Sequence, residues 1–350
     1  APLPSWCVDI LLSPDLLPKL FSSLGLSEHA AAGVCSTWSR AYSRQLRRCR
    51  YVDLRRVQEL VDVPNSPNGL CMLPGGVLAI TCGGEVHNGL TFVAVRNDSD
   101  PQALAAYWAS SLDARRFEWS MGLALTNDGL LVCSLRDAST ALYKFALNGS
   151  MDELATVPVL ANYGQGFTRC AVHQQTQRTY AIISDEDLGR NALVLLDANL
   201  QYVVTVETAV VATDQVNTDY VNNDPIRDVA VHGDQVILLT GNGHEKGSGL
   251  RLLDLDGRFL RTIAAEFRSP YVVTASSGRA FVVDDDDEIA PNTGTIYEYD
   301  REYDREGRER PGKLLHVIDI QSGIFLQSVP FRSADDVSAI HVDGDEIYIA

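Results

Sequence analysis

Three of the seven histidines, His173, His232 and His341, fall at one point of three similar segments, CAVH, VAVH and AIH. Imidazoles repeated at one level of a ring could converge on a metal ion, whereas imidazoles repeated at strand ends serve turns. His341 alternates with Ile340 and Val342, which favours turn chemistry. The segment VNTDYVNNDPIRD (216–228) offers the amide and carboxylate oxygens of Asn217, Asp219, Asn222, Asn223 and Asp224, ligands of the kind calcium takes. The acidic run 284–288 lacks the alternating spacing and glycine of a formed calcium loop, so it reads as solvated charge. No nucleophile elbow, phosphate loop or dinucleotide fingerprint occurs. TGNGHEKGSG (240–249) lacks the Lys-Ser/Thr ending of a phosphate loop. The expectation is a non-enzymatic chain with no catalytic residue, no metal site and no cofactor.

The elements that would position any such residues repeat. LCMLPGGVLAIT (70–81), LALTNDGLLVCSL (123–135), CAVHQQTQRTYAII (170–183), VAVHGDQVILL (229–239), VVTASSGRAFVV (272–283) and AIHVDGDEIYIA (339–350) each read as strand, turn, strand. Asn-Asp-Gly or Asp-Gly between apolar runs is a strong hairpin signal. After each of the first five comes a second hairpin. The clear copies are LYKFALNGSM (142–151), LVLLDANLQYVVTV (193–206), LRLLDLDGRFLRTI (250–263) and LHVIDIQSGIFLQSV (315–329), and LTFVAVRNDSDPQAL (90–104) is the weakest. Four strands per unit at intervals of 44 to 66 residues predict propeller blades.

The V-x-V strands followed by hydrophobic-Asp-x-x-Gly hairpins resemble those of NHL-type six-bladed propellers. The expected fold class is therefore mainly β. Residues 56–350 form a six-bladed β-propeller with five full blades and an incomplete last blade, and a charged insertion occupies 284–313. Residues 51–63, YVDLRRVQELVDV, could add an outer strand to the sixth blade. The chain begins at Ala1 and stops in what reads as mid-strand, so a piece of a longer protein is expected.

Two short amphipathic patterns precede the repeats. Leu16, Leu17, Leu20, Phe21 and Leu24 recur at helical spacing, with Ser13 as cap and Pro14 at the first turn. Ala30, Ala31, Ala32, Val34, Cys35 and Trp38 follow on a second helix. With Leu12, this stretch resembles the F-box, although Pro14 sits one place late and Pro18 interrupts the first helix. The resemblance covers about the first 55 residues. It implies a small α-helical module at 1–55 that binds the Skp-family adaptor of an SCF-type ubiquitin ligase through Leu12, Pro14, Leu16, Leu17, Leu20, Phe21, Leu24, Val34, Cys35 and Trp38. The chain would then be a substrate receptor in a cullin complex. The competing expectations are a calcium-dependent lactonase or esterase, as some six-bladed propellers are, and a plain interaction scaffold.

Charge narrows the partners. Residues 1–60 carry +3 and residues 61–350 carry −20. Such a body disfavours nucleic acid and anionic membranes, whose recognition needs clustered cations. No apolar run reaches membrane-spanning length. The odd number of cysteines, without a Cys-x-x-Cys pair, fits free thiols in a reducing compartment, cytoplasm or nucleus. Loops on one propeller face hold Arg115, Arg116, Phe117, Trp119, Tyr163, Tyr220 and His244, residue types that dominate interface energetics. They predict a substrate-binding face with an acidic rim, suited to a protein partner bearing a basic segment.

Overall fold

The computed structural model describes residues 67–82, 89–94, 120–134, 141–147, 153–159, 166–185, 190–207, 226–241, 249–264, 267, 269–285, 313–331, 337–344 and 346–350. The expected helical module at 1–55 and the strand at 51–63 lie outside them. The fold is a β-propeller. Its first blade holds β1 (Pro67–Leu73), β2 (Val77–Cys82) and β3 (Gly89–Ala94). The second holds β4 (Ser120–Leu125), β5 (Gly129–Ser134), β6 (Ala141–Ala146) and β7 (Glu153–Pro158). The third holds β8 (Gly166–His173), β9 (Arg178–Asp185), β10 (Arg190–Leu196) and β11 (Tyr202–Glu207). The fourth holds β12 (Ile226–His232), β13 (Gln235–Thr240), β14 (Gly249–Asp254) and β15 (Phe259–Ala264). The fifth holds β16 (Pro270–Ser276), β17 (Arg279–Asp285), β18 (Lys313–Asp319) and β19 (Phe325–Phe331), and a last hairpin pairs β20 (Ile340–Asp343) with β21 (Glu346–Ile349).

Each sheet is an antiparallel meander in chain order. The innermost strands touch in sequence, β1 to β4, β8, β12, β16 and β20, and β20 returns to β1. Five sheets thus have blade form, and the two-stranded hairpin fills the remaining sector. Among the described residues four blades have four strands and the first has three, so the five full blades expected from the repeats are not all seen.

The middle strands explain why the ring holds. β2 and β5 are buried along their whole length, because each sheet is covered on both faces by its neighbours. Such strands read as continuous apolar runs rather than alternating ones. The apolar clusters lie between blades, one for each adjacent pair. Leu73, Phe92, Leu130 and Phe145 join the first and second blades, and Leu70, Ile80, Ala339 and Tyr348 seat the terminal hairpin on the first blade.

The two rims differ. Pro67 pairs with Cys82 and Cys82 with Gly89. Ile226 likewise pairs with Thr240, and Thr240 with Gly249. One rim therefore collects the starts of the inner strands, the ends of the second and the starts of the third. Among the described residues, the chain leaves the second strand and enters the third on this rim in all five blades, and the fourth strands of the second to fifth blades end there. The opposite rim carries tight turns, such as Gly233–Asp234 and Ser277–Gly278, the latter with both residues at positive φ. There the recurrent aspartate of the second hairpin caps its own turn. Asp197 Oδ1 accepts the amides of Asn199 and Gln201, and Asp254 Oδ1 those of Asp256 and Arg258.

Asp284 and Lys313, the expected ends of the charged insertion, are strand residues. Asp284 pairs with Pro270 and Leu314, and Lys313 with Phe331. Both are buried, so Asp284 is not part of a solvated acidic run.

Candidate functional site on the propeller axis

The inner strands of all five blades carry a register irregularity close to their start. It lies at Pro67/Gly69, Ser120/Leu123, Phe167/Arg169, Ile226/Asp228 and Pro270/Val272. A bulge re-aims the side chain beside it. In β8 and β12 the residues that follow are Arg169 and Asp228, and both line a cavity of about 340 Å³ bounded by all six inner strands.

Arg169 Nη1 donates to the Asn68 carbonyl at 2.7 Å, and Nη2 to the Ser338 carbonyl at 2.9 Å. The guanidinium therefore spans from the third blade to the first blade and to the approach of the terminal hairpin. Its Nε stands 3.8 Å from Asp228 Oδ1. Asp228 is 8% exposed. Its Oδ1 accepts the Val229 amide, and its Oδ2 accepts the Val273 amide of the fifth blade, both at 2.8 Å. Burial pushes the Asp228 carboxyl up to about 6, against the lowering effect of Arg169 and the two amides. The second blade meets the pair at Gly122, where a Cβ would stand 2.8 Å from the Arg169 Cα. One charged pair thus bonds the first, third, fourth and fifth blades and the approach to the terminal hairpin at a single level of the channel, and the second blade packs closely on the Arg169 backbone.

Chemically, this is a committed clamp. Two guanidinium nitrogens and both carboxylate oxygens already hold backbone partners, so neither group is poised as a free acid, base or cation ligand. The thiols nearby are held neutral. Burial pushes Cys71 up to about 12, and a hydrogen bond with Cys133 together with burial raises Cys170 well above the ordinary thiol range.

The recurrent histidines sit toward the other end of the inner strands. His173 Nδ1 shares a hydrogen bond with Thr176 Oγ1 at 2.7 Å, and its Nε2 is 3.7 Å from Asp234 in the turn of the next blade. His232 Nε2 accepts the Gly278 amide, again from the next blade's turn, at 3.0 Å. Burial lowers His232 and, more deeply enclosed, His341. His173 and His232 thus do turn and inter-blade work. Among the described residues no cluster of three or more His, Cys, Asp or Glu is placed to hold a metal ion.

None of the interface or adaptor residues expected from the sequence can be placed. Leu12, Pro14, Leu16, Leu17, Leu20, Phe21, Leu24, Val34, Cys35 and Trp38 lie outside the described residues, as do Arg115, Arg116, Phe117, Trp119, Tyr163, Tyr220 and His244. So do Asn217, Asp219, Asn222, Asn223 and Asp224. The axial pair was missed by sequence reasoning although a signal was present. Arg169 and Asp228 each stand four residues before a recurrent histidine, in RCAVH and DVAVH. Opposite charges at one repeat position of adjacent blades are a pairing cue. Compared with known proteins, the chain matches no family model and no curated sequence.

Proposed function

We propose that the chain is the substrate-receptor subunit of an SCF-type ubiquitin ligase, in which the segment 12–38 docks on a Skp-family adaptor and the propeller presents a target protein. The observation that carries this reading is the apolar pattern Leu16, Leu17, Leu20, Phe21, Leu24, Val34, Cys35 and Trp38, which matches the F-box spacing. The propeller is consistent with the role. The connections from second to third strands leave from one rim of a rigid scaffold, the usual arrangement for a binding surface. The ring is taken as six-bladed and NHL-like, with chain outside the described residues completing the first and last sectors. The compartment is cytoplasm or nucleus, and the target carries a basic segment complementary to the body's charge of −20.

The calcium-dependent hydrolase reading is less favoured. Its expected ligands Asn217, Asp219, Asn222, Asn223 and Asp224 lie outside the described residues, and the axial Asp228 is taken up by Arg169 and two backbone amides. Co-purification of the full chain with recombinant Skp adaptor and cullin tests the proposal. A stable complex that is lost on Phe21→Ala is expected. A wild-type chain that elutes apart from the adaptor contradicts it.

A further inference from the structure

On the fifth blade three side chains from three successive strands meet in an order that no part of the receptor reading uses. Ser328 on β19 stands opposite His316 on β18 in the ladder, and His316 opposite Val282 on β17, two residues before Asp284. Period-two alternation therefore puts Asp284, His316 and Ser328 on one face of the sheet. The contacts follow. His316 Nδ1 and Ser328 Oγ are 2.8 Å apart, and His316 Nε2 and Asp284 Oδ2 are 3.4 Å apart. Asp284 is 4% exposed and His316 8%, while the Ser328 hydroxyl belongs to an exposed residue. Asp284 is itself fixed, because its Oδ1 accepts the Ser269 amide at 2.7 Å.

The surroundings are apolar and aromatic. The Phe267 ring centroid lies 5.7 Å from that of His316, and Phe325 meets the imidazole edge-on at 5.4 Å. The two phenylalanines touch each other at 5.8 Å. Phe325 is 40% exposed, so this wall reaches the surface beside Ser328. A buried carboxylate, a buried imidazole and an accessible hydroxyl linked in series are the parts of an activated nucleophile.

We propose that Ser328, His316 and Asp284 form a nucleophilic relay that hydrolyses small carboxylic esters with an apolar acyl group. Asp284 holds the His316 proton on Nε2, which leaves Nδ1 as the base. Ser328 gives its proton to Nδ1 as Oγ bonds to the ester carbonyl carbon. Collapse of the tetrahedral adduct breaks the bond to the alcohol oxygen, which leaves with the proton from Nδ1. Water then attacks the acyl-serine, passing one proton to Nδ1, and Nδ1 returns it to Ser328 Oγ as the carboxylic acid departs. β19 is the outer strand of its blade. The Phe267–Phe325 wall beside Ser328 receives the acyl chain. This activity goes beyond the receptor role and does not depend on it.

The full chain treated with a fluorophosphonate probe, followed by peptide mass spectrometry, tests the relay. The expected result is phosphonylation at Ser328, abolished in Ser328→Ala and slowed at least about 100-fold in His316→Gln. Hydrolysis of p-nitrophenyl butyrate should disappear in Ser328→Ala with the melting temperature unchanged, since that side chain is exposed. Absence of label at Ser328 in the folded wild-type chain would overturn the proposal. So would equal labelling of a folded His316→Gln variant. Either result would leave His316 as a buried imidazole satisfied by a cross-strand hydroxyl.

Discussion

Arg169 and Asp228 approach within 3.8 Å on the axis of the propeller, yet each is anchored mainly by the backbone of other blades. The guanidinium holds the carbonyls of Asn68 and Ser338, and the carboxylate holds the amides of Val229 and Val273. Side chains that close a ring in this way couple the blades, so losing either should loosen the whole propeller.

Asp228→Ala strips an acceptor from two buried amides and leaves a guanidinium without its counter-charge. Removing one member of a buried pair costs about 3–5 kcal/mol. Urea denaturation of the variant should show a lower midpoint by that amount, with a single transition. A midpoint within experimental error of the wild type would show that the pair does not hold the ring.

The same carboxylate sets a pH dependence whose sign follows from its direction. In the folded chain Asp228 is raised to about 6, above its unfolded value, so the folded state binds its proton more tightly. The stability it contributes is fully present below about pH 4 and is lost as pH rises through about 6, a swing on the order of 3 kcal/mol. Asp228→Asn cannot titrate. The difference in unfolding free energy between wild type and Asp228→Asn should therefore move against the wild type between pH 4.5 and pH 7. A constant difference across that range refutes the assignment.

The tight-turn rim makes a prediction about two glycines. Gly323 has φ +73, and a Cβ there would lie 2.5 Å from the Ile263 carbonyl of the neighbouring blade. Gly278 has φ +76 with open space around it. Both substitutions to alanine incur the left-handed backbone penalty of about 1 kcal/mol, but only Gly323→Ala also forces two blades apart. Melting curves should show Gly323→Ala as the more destabilised, by a further 1–3 kcal/mol or so. Equal effects would mean that the inter-blade contact yields freely.

Much of the fold was legible because propeller hairpins are local. The apolar runs 123–135, 229–239 and 272–283 each became one inner hairpin, since turn chemistry and strand burial are encoded within a dozen residues. Asp197, Asp254 and Asp319 were visible as a repeat and proved to be turn caps. The axial clamp was not legible. Its partners lie far apart in sequence, Asn68 with Arg169 and Asp228 with Val273, and only ring closure brings them together. Asp284 was misread for a related reason. It begins an acidic run, but it is held in the interior by His316 on β18 and by the amide of Ser269 just before β16, partners distant in the sequence. Of the histidine repeat, His173 and His232 do engage turn residues, Thr176 and Gly278, a role the sequence suggests because both precede a turn.

The proposed binding face separates from a purely structural role by two readouts. Trp119→Ala should speed dissociation of a captured partner and leave the melting temperature unchanged, because a truncated interface anchor acts on the off-rate. Raised salt should chiefly slow association. A lower melting temperature with normal partner retention would place Trp119 in the core instead.

The receptor account rests most directly on adaptor affinity. Calorimetric titration of recombinant Skp–cullin complex into the full chain should give saturable one-to-one binding. Trp38→Ala should abolish it without altering the β-rich circular dichroism, since truncating a buried aromatic costs about 3–5 kcal/mol. No heat of binding with the wild type, or an undiminished isotherm with Trp38→Ala, would contradict the account.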